Sequence, residues 1–347
     1  MIKAYAKTIQ GLEEISIKEI KELLNISSKI LYPGMLTFET KTLEDIAKLT
    51  YHSQSLLKTG VLLQTGKFKE LKDIVKEIKS TKLDWKYETF AIKSTRQGKH
   101  NFSSKEIEHE IGSIIKGKVN LENPHTLFAI EIQDNNYLFG IDFAGFPLDK
   151  RFYRVKMSFS ALNSIVAYAM IRLSDYKNIL LDPYCRDGII LIEADYFNSK
   201  LFIHQKKLAY ENFLKLKIEN PPKANSRIIG FAENIGSLKN SKINISMADA
   251  KVELAKREVE WIETMFKDNE LEAVVSFPPY ICKRNKKPEV LNFYNQLSEA
   301  LRNTLKNKGK LVINTPNPDL KIPDFKQVKK LNYQIGDLKS FIYVFEK

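Results

Sequence analysis

A short polar segment in the C-terminal half has the residue types of a ligand-binding turn. Residues 182–188 read Asp-Pro-Tyr-Cys-Arg-Asp-Gly and stand between an apolar run at 178–181 and a helix-like run at 189–197. In an open α/β sheet, the turn that leads from a strand into a helix is where nucleotide-like ligands bind. Glycines usually fill this turn and let the ligand approach the backbone. The segment therefore predicts a site for a nucleotide-like cofactor.

A second group, in the N-terminal half, combines cations with hydrogen-bonding side chains. It consists of Lys93, Arg96, Lys99, His100 and Asn101, which follow a predicted strand and precede a predicted helix. This arrangement suits the phosphates of a nucleic acid, and the alternative is a solvated loop. The chain has 55 Lys and Arg against 42 Asp and Glu, a formal net charge of +13. That excess indicates either a polyanionic partner or a lysine-rich soluble surface.

Composition excludes several classes of protein. A chain of 347 residues is long enough for two or three domains, and 43% hydrophobic residues rule out global disorder. Two cysteines, Cys185 and Cys282, cannot form a disulfide-rich scaffold or a four-thiolate zinc site, and the five histidines are scattered. No apolar run approaches the length of about 18 residues that a membrane span needs, and the N-terminus lacks a signal-peptide core. We expect a soluble, cytoplasmic protein without a metal ion.

The elements that position the cation group mix two periodicities, which predicts an α+β half up to residue 155. Strands are predicted at 2–8, 35–39, 89–94, 127–133 and 137–143, and helices at 12–24, 43–50, 68–78 and 103–115. Ser103 or Ser104 caps the last of these helices, with Glu106 placed to complete a capping box. The last two strands form a hairpin that turns at residues 134–136.

After residue 156, strands and helices alternate, which predicts a parallel sheet covered on both faces and an α/β fold class. Helices are predicted at 160–174, 189–197, 253–266 and 288–305. Strands are predicted at 178–181, 227–231, 243–247, 273–276, 310–314, 327–331 and 340–345. Residues 198–226 are interpreted as a lysine-rich helical insertion.

Several segments resemble one family. Residues 182–194, DPYCRDGIILIEA, resemble the D-P-x-C-G-x-G-G-x-x-I-E-A loop of S-adenosylmethionine-dependent RNA methyltransferases that carry a THUMP domain, and are most similar to the archaeal tRNA guanine-10 amino-group methyltransferases. Residues 93–112 resemble the THUMP signature, and residues 138–155 resemble its end. The resemblance implies a ferredoxin-like N-terminal unit at 1–50, a THUMP RNA-binding domain at 51–156, a linking helix at 157–176 and a Rossmann-like methyltransferase domain at 177–347.

The resemblance also implies roles in the methyltransferase domain. The positions that match the cofactor site are Asp182, Cys185, Gly188, Asn234 and Asp249. The turn that would line the target base is Phe277, Pro278, Pro279 and Tyr280. Asp249 either faces the cofactor adenine or caps a helix that begins near residue 252. Cys185 is interpreted as a structural member of the loop, with a nucleophilic role as the alternative.

By the same resemblance, the THUMP domain would bind the acceptor end of a tRNA through the group at residues 93–101. Lys150, Arg151 and Arg154 stand at the end of that domain. They either extend this contact with RNA or form structural ion pairs with the adjacent domain.

Three departures from the family fall on one pocket. Arg186 and Ile189 stand where relatives carry glycine, so Arg186 either pairs with the cofactor carboxylate or excludes the cofactor sterically. Ala232 and Asn234 occupy the positions where an acidic residue should hold the ribose; Glu233 is one residue out of register and, on a regular strand, points to the opposite face.

At the catalytic turn, Phe277 replaces the Asp or Asn side chain that accepts a hydrogen bond from the target amine, which leaves the Pro278 carbonyl and a stacking surface on Tyr280. Loss of one such polar partner typically lowers the rate by about 10²–10³.

Two functions follow from these observations. The main interpretation is a tRNA-binding protein that keeps the methyltransferase fold but has lost its cofactor or its chemistry, and acts as an RNA chaperone or beside an active enzyme. The alternative is an active tRNA guanine amino-group methyltransferase. The cofactor is S-adenosyl-L-methionine in the second case, and the first case leaves open whether any cofactor binds. Besides tRNA, a small activating subunit or an active methyltransferase is a candidate partner.

Overall fold

The computed structural model describes residues 1–158, 160–199, 206–218, 226–283 and 285–347. Contacts divide the chain into two compact units. The N-terminal unit holds Met1–Thr8, Ser16–Leu148 and the described residues of 205–219, and the C-terminal unit holds Ile9–Ile15 and the described residues of 149–204 and 220–347. The domain boundaries expected at residues 50, 156 and 176 stay predictions.

The N-terminal unit is built on one sheet whose strands come from both the first 50 residues and the following 92. Its strands are β1 (Ile2–Lys7), β2 (Ser28–Tyr32), β3 (Met35–Thr40), β4 (Lys58–Lys67), β5 (Thr89–Gln97), β6 (Lys118–Val119), β7 (Thr126–Gln133) and β8 (Asn136–Asp142). They lie in the order β2-β3-β1-β4-β8-β7-β5-β6. β5 pairs in parallel with β6 and β7, and the other neighbours are antiparallel.

The helices of this part of the chain are α1 (Glu13–Leu24), α2 (Leu43–His52), α3 (Leu71–Ser80) and α4 (Ser104–Ile114). The capping box that the sequence predicts is confirmed: the Ser103 hydroxyl accepts from the Glu106 amide, and the Glu106 carboxylate accepts from the Ser103 amide. The predicted hairpin is also confirmed, with β7 and β8 paired in antiparallel register up to Gln133 and Asn136.

The C-terminal unit has the predicted α/β architecture. Its strands are β9 (Ile179–Asp182), β10 (Arg227–Ala232), β11 (Glu253–Lys256), β12 (Leu271–Ser276), β13 (Leu305–Thr315), β14 (Lys326–Ile335) and β15 (Leu338–Glu346), in the order β11-β10-β9-β12-β13-β15-β14. β9 to β13 are parallel, and β15 joins them in antiparallel orientation. The chain runs outward from β9 to β11 and then crosses to β12, so the strand order reverses between β9 and β12. Ligands bind at such a reversal, at the carboxyl ends of the strands.

Helices cover this sheet: α5 (Ser164–Leu173), α6 (Ile189–Ser199), α7 (Ile235–Ala248), α8 (Trp261–Met265) and α9 (Lys287–Thr304). In α9, Val290, Tyr294, Leu297 and Leu301 repeat at helical spacing and are all buried in the core of the unit. Among the helices of the described ranges, none combines the length and the apolar character that a membrane span requires.

Two predicted elements of the C-terminal half are wrong. The strand expected at 243–247 lies inside α7, because the Asn234 side chain caps that helix by accepting from the Ser237 amide, and the alternating residues of 243–247 fit the helix equally well. The helix expected at 253–266 is instead β11, which pairs with β10, followed by the short α8. Sheet pairing overrides the helical periodicity here.

The insertion expected to be helical at 198–226 is only partly within the described residues. In the described stretch 206–218, the regular structure is a short 3₁₀ turn at Ala209–Asn212. The Tyr210 amide donates to the Phe143 carbonyl at 3.1 Å, so this turn packs on the N-terminal unit to which it belongs. Strands β2, β4 and β6 have no counterpart among the predicted elements.

Candidate active site and nucleic-acid contacts

Two adjacent parallel strands end on side chains that bond to each other. Asp182 ends β9 and Ser276 ends β12, and the Ser276 hydroxyl donates to Asp182 Oδ1 at 2.6 Å. The Tyr184 amide donates to the same oxygen at 3.1 Å. Burial raises the pKa of Asp182 to about 7, despite these two hydrogen bonds. The carboxyl therefore anchors the turn at residues 182–188 and titrates near neutral pH.

Arg186, in the turn after β9, bonds to the main chain of the turn after β12. Arg186 Nε donates to the Phe277 carbonyl at 2.7 Å, and Nη2 donates to the Pro278 carbonyl at 3.1 Å. The guanidinium also lies 4.5 Å from the centroid of the Phe277 ring and 5.1 Å from that of Tyr184. Phe277 also stacks with Tyr280, with centroids 5.6 Å apart and an interplanar angle of 13°. The result is a cationic group held on an aromatic surface by two main-chain carbonyls.

A cavity of about 460 Å³ opens beside this cluster. Its described lining residues are Ser160, Tyr184, Arg186, Tyr280, Cys282, Lys283 and Asn285. Two of these residues are joined by a hydrogen bond, because the Asn285 side-chain amide donates to the Tyr280 carbonyl at 3.1 Å. The volume is in the range of small-molecule and cofactor sites. An aromatic ring, a guanidinium and a lysine at one cavity suit a flat ligand with an anionic group.

Glu233, which the alternation of a regular strand would direct to the opposite face, is a candidate cofactor ligand. β10 ends at Ala232, so the alternation of a regular strand does not extend to Glu233. Its charge contributes to raising the pKa of both Asp182 and Tyr184, which places the carboxylate near the turn. Oε1 accepts from the Ser237 hydroxyl at 2.5 Å, whereas Oε2 is buried without a hydrogen-bond partner among the described residues. This unpaired oxygen fits the hydroxyl groups of a ribose.

The other predicted cofactor residues shape the site rather than line its cavity. Asn234 uses its side chain to cap α7. Gly188 has a φ of 81°, and a Cβ atom there would lie 3.3 Å from Ser241, so glycine allows the turn to pack on α7. The Cys185 thiol is buried, and burial raises its pKa well above the usual value, which favours the structural role over the nucleophilic one.

Asp249 ends α7 in the left-handed region, with a φ of 50°. The alternative in which it caps a helix near residue 252 is wrong, because the next element is β11, which begins at Glu253. In the parts of the chain that the structure describes, no group of three or more His, Cys, Asp or Glu side chains is arranged to hold a metal ion.

The cation group of the N-terminal unit lies partly on a strand. Lys93 and Arg96 belong to β5, which continues to Gln97 and so replaces much of the expected loop. These two residues, Lys99 and Asn101 are exposed. His100 is half-buried and clusters with the rings of Phe68 and Phe102, at centroid distances of 5.7 and 5.4 Å. The group therefore offers three exposed cations.

Arg96 and His100 are also joined by a hydrogen bond. His100 Nε2 lies 2.7 Å from the Asp134 carbonyl, so Nε2 carries the proton. Nδ1 then accepts from Arg96 Nη1 at 3.3 Å. The histidine consequently orients Arg96 and holds it on this face of the unit.

Of the three later candidates for RNA contact, Arg151 is a correction. Its side chain and that of Glu193 are fully buried, and Nε donates to Glu193 Oε1 at 2.8 Å. The Tyr153 hydroxyl donates to the same carboxylate oxygen. Arg151 thus forms the structural ion pair that was the alternative for this residue, because a buried charge needs a partner. Lys150 is exposed. Arg154 is half-buried near Asp187; burial raises the pKa of Asp187, and the charge of Arg154 opposes that rise.

Comparison with known proteins decides the family. The sequence profile described as RMKL-like, methyltransferase domain matches residues 151–326, and the THUMP domain profile matches residues 66–142. The first match covers half of the chain. The chain belongs to the RMKL-like methyltransferase-domain family. It is a THUMP-containing member, as the sequence resemblance indicates.

Two archaeal relatives extend over most of this methyltransferase-domain protein. The tRNA (guanine(6)-N2)-methyltransferase of Methanocaldococcus jannaschii is 28% identical, over 96% of this chain and 94% of its own length. The enzyme of the same name from Archaeoglobus fulgidus is 26% identical, over 91% of this chain and 83% of its own length.

Two solved structures match this chain over nearly its whole length. TrmN from Thermus thermophilus superposes with a TM-score of 0.75, at 17% identity and with complete coverage of both chains. SMU.472 complexed with SAH gives a TM-score of 0.81, at 18% identity, over 99% of this chain and 98% of that one. At these identities the likeness establishes the fold, with THUMP and Rossmann-like methyltransferase domains.

Proposed function

We propose that this protein is an active S-adenosyl-L-methionine-dependent tRNA methyltransferase that methylates the N2 amino group of a guanine. The observation that carries the proposal is the pair of hydrogen bonds from Arg186 to the carbonyls of Phe277 and Pro278. These bonds demonstrate that the carbonyls accept from planar N–H groups lying on the Phe277 ring. The amino edge of guanine is such a group.

The residues of the pocket then have separate roles in the reaction. The Pro278 carbonyl accepts from the guanine amine and directs the nitrogen lone pair toward the methyl group. Phe277 and Tyr280 supply the stacked rings on which a base lifted out of the RNA lies. Phe277 offers only its carbonyl where relatives have a side-chain acceptor, so its main chain takes over that bond.

The cofactor fits the residues at the carboxyl ends of β9 and β10. The unpaired Oε2 of Glu233 would accept from the ribose hydroxyls, and the turn at 182–188 would hold the remainder. When bound, S-adenosyl-L-methionine supplies an electrophilic methyl group. The names of the two archaeal relatives are those of N2-methyltransferases and point to guanine 6 as the target position.

The N-terminal unit would bind the same tRNA. Lys93, Arg96 and Lys99 are exposed on one segment, and exposed cations at this spacing bind the phosphate backbone without reading sequence. The THUMP match to residues 66–142 includes all three. Affinity for tRNA would then come from this unit, and the chemical step from the C-terminal unit.

The test is methyl transfer from tritiated S-adenosyl-L-methionine to unmodified tRNA transcripts. We expect the wild-type protein to label the transcript, and a transcript with adenine in place of guanine 6 to stay unlabelled. Tyr280→Ala should lower the rate about tenfold or more, because base stacking contributes about 1–3 kcal/mol. Tyr280→Phe, which keeps the ring, is the matched control and should stay within about threefold of wild type.

The competing interpretation, a non-catalytic tRNA-binding protein, predicts a different outcome. The transcript would bind with full affinity and carry no label with any variant. That result would exclude the proposed activity and leave the role of the N-terminal unit intact.

A further inference from the structure

Arg186 occupies the acceptor site, which is the pair of carbonyls at Phe277 and Pro278 that the target amine needs. The inference drawn from this position rests on the proposed function. Two carbonyls and one ring face are needed by the target amine, and the guanidinium already occupies all three. Each carbonyl oxygen has a second lone pair. However, the guanidinium also lies over the Phe277 ring, with its carbon 4.5 Å from the ring centroid. A base cannot lie on this ring until Arg186 leaves.

The turn fixes the backbone of Arg186, so only its side chain needs to move. Its φ of 51° is in the left-handed region, which a non-glycine residue occupies at a cost. The conformation is held because the Ser241 hydroxyl donates to the Arg186 carbonyl at 3.1 Å and the Cys185 amide donates to the Phe231 carbonyl at 2.9 Å. The side chain lines the 460 Å³ cavity, which gives it space to swing.

We propose that Arg186 is a gating residue that keeps the acceptor site closed until a carboxylate draws its guanidinium away. The carboxylate is the one on the amino-acid end of the cofactor. A carboxylate carries a full negative charge and accepts two parallel bonds from a guanidinium, whereas the two carbonyls are neutral, so the exchange is favourable. The base therefore enters after the cofactor, and Arg186 makes the affinity for one depend on the other.

Two nucleosides allow the contribution of the carboxylate to binding to be measured apart from that of the rest of the cofactor. S-adenosylhomocysteine has the amino-acid end, and 5′-methylthioadenosine lacks it. Calorimetry should give an affinity of Arg186→Ala for S-adenosylhomocysteine that is about tenfold or more below wild type, because charge-assisted bonds contribute about 1.5–3 kcal/mol. The affinity for 5′-methylthioadenosine should be unchanged.

Entry of the base is followed with a tRNA that carries 2-aminopurine at position 6, because this base keeps the amino group and its fluorescence responds to stacking. With wild-type protein, S-adenosylhomocysteine should change the fluorescence and 5′-methylthioadenosine should not. With Arg186→Ala, the change should occur without either nucleoside. Arg302→Ala, which removes an exposed arginine paired with Asp324, is the matched control and should behave as wild type.

A second substitution keeps the test valid if the alanine variant misfolds. Arg186→Lys retains a cation without the planar fork, and it should keep a preference for S-adenosylhomocysteine over 5′-methylthioadenosine that Arg186→Ala loses. The gate is overturned if the 2-aminopurine signal of the wild type changes equally with both nucleosides, or if Arg186→Ala keeps the wild-type preference. Those results leave the proposed function standing, whereas failure of every form to bind S-adenosylhomocysteine overturns both.

Discussion

Two groups of cations, one from each unit, lie in opposite surroundings. In the N-terminal unit, Lys93, Arg96 and Lys99 are exposed on one segment. In the C-terminal unit, Arg151 is fully buried against Glu193, and Arg186 is half-buried and bonded to two carbonyls. A buried charge is retained only when it is paired or hydrogen-bonded, whereas an exposed cation is available to phosphate.

This contrast separates two uses of one residue type. Lys93, Arg96 and Lys99 form an exposed cationic segment, whereas Arg151 stabilises the interior of the C-terminal unit and Arg186 lines its cavity. The net charge of the chain therefore overstates the number of cations that are available to RNA. Burial, and not spacing along the chain, decides which cation belongs to which class.

The largest effect should come from breaking the buried pair. Arg151→Ala leaves the Glu193 carboxylate buried without its main partner, and the free energy of unfolding should fall by about 3–5 kcal/mol. Denaturant titration followed by circular dichroism measures it. Lys150→Ala, at the exposed neighbour, should change it by less than about 0.5 kcal/mol. Equal effects of the two substitutions would remove the distinction between the classes.

The buried carboxyl at the pocket gives a pH-dependent effect. The pKa of Asp182 is about 7 in the folded protein because of burial, and about 3.9 in an unfolded chain. Between these values the folded state holds a proton that the unfolded state has lost, so this group makes stability fall as pH rises from about 4 to about 7. The slope is at most about 1.4 kcal/mol per pH unit.

Asp182→Asn removes that slope, since asparagine does not titrate. Denaturation of the wild type and the variant between pH 4.5 and 7.5 should give a stability difference that moves in favour of the variant as pH rises. A difference that stays constant across this range would mean that Asp182 is ionised throughout, and that the pocket is wetter than its burial indicates.

A smaller effect on binding should come from the exposed group. Replacing Lys93, Arg96 and Lys99 together with alanine should weaken tRNA binding and lower the slope of log affinity against log salt by about 2–3, since each lost phosphate contact lowers it by about 0.7–0.9. Stability should be unchanged. Filter binding at several salt concentrations gives the slope.

The matched control is a triple alanine variant of Lys18, Lys21 and Lys29, which are exposed in the same unit on other elements. It removes the same charge and should lower the slope by less than 1. An equal loss in both variants would indicate a diffuse effect of net charge rather than a defined contact surface.

Much of the fold was predictable because its signals are local. The capping residues of α4, the β7–β8 hairpin and the alternation of strands and helices after residue 156 each depend on neighbouring residues. The error at 243–247 arose because a short apolar alternation suits either a helix or a strand, and the error at 253–266 arose because a helical periodicity includes residues that pair in the sheet. A side-chain cap on α7 and the pairing of β11 with β10 decided these cases.

The site was predictable in position but not in its internal bonds. The sequence placed the pocket at the turns after β9 and β12 through the residues of 182–188 and 277–280. It did not predict that Arg186 would bond to the 277–278 main chain, because no local pattern encodes a contact between residues about 90 positions apart. Glu233 was set aside because the end of β10 at Ala232 was not visible in the sequence.

Identification of the methylated nucleoside tests the central claim most directly. Unmodified tRNA transcript is incubated with the protein and S-adenosyl-L-methionine, digested to nucleosides, and analysed by liquid chromatography with mass spectrometry. The account predicts N2-methylguanosine, which disappears when guanine 6 is replaced by adenine. Methyladenosine or a methylated pyrimidine, or a digest without any methylated nucleoside, would contradict it.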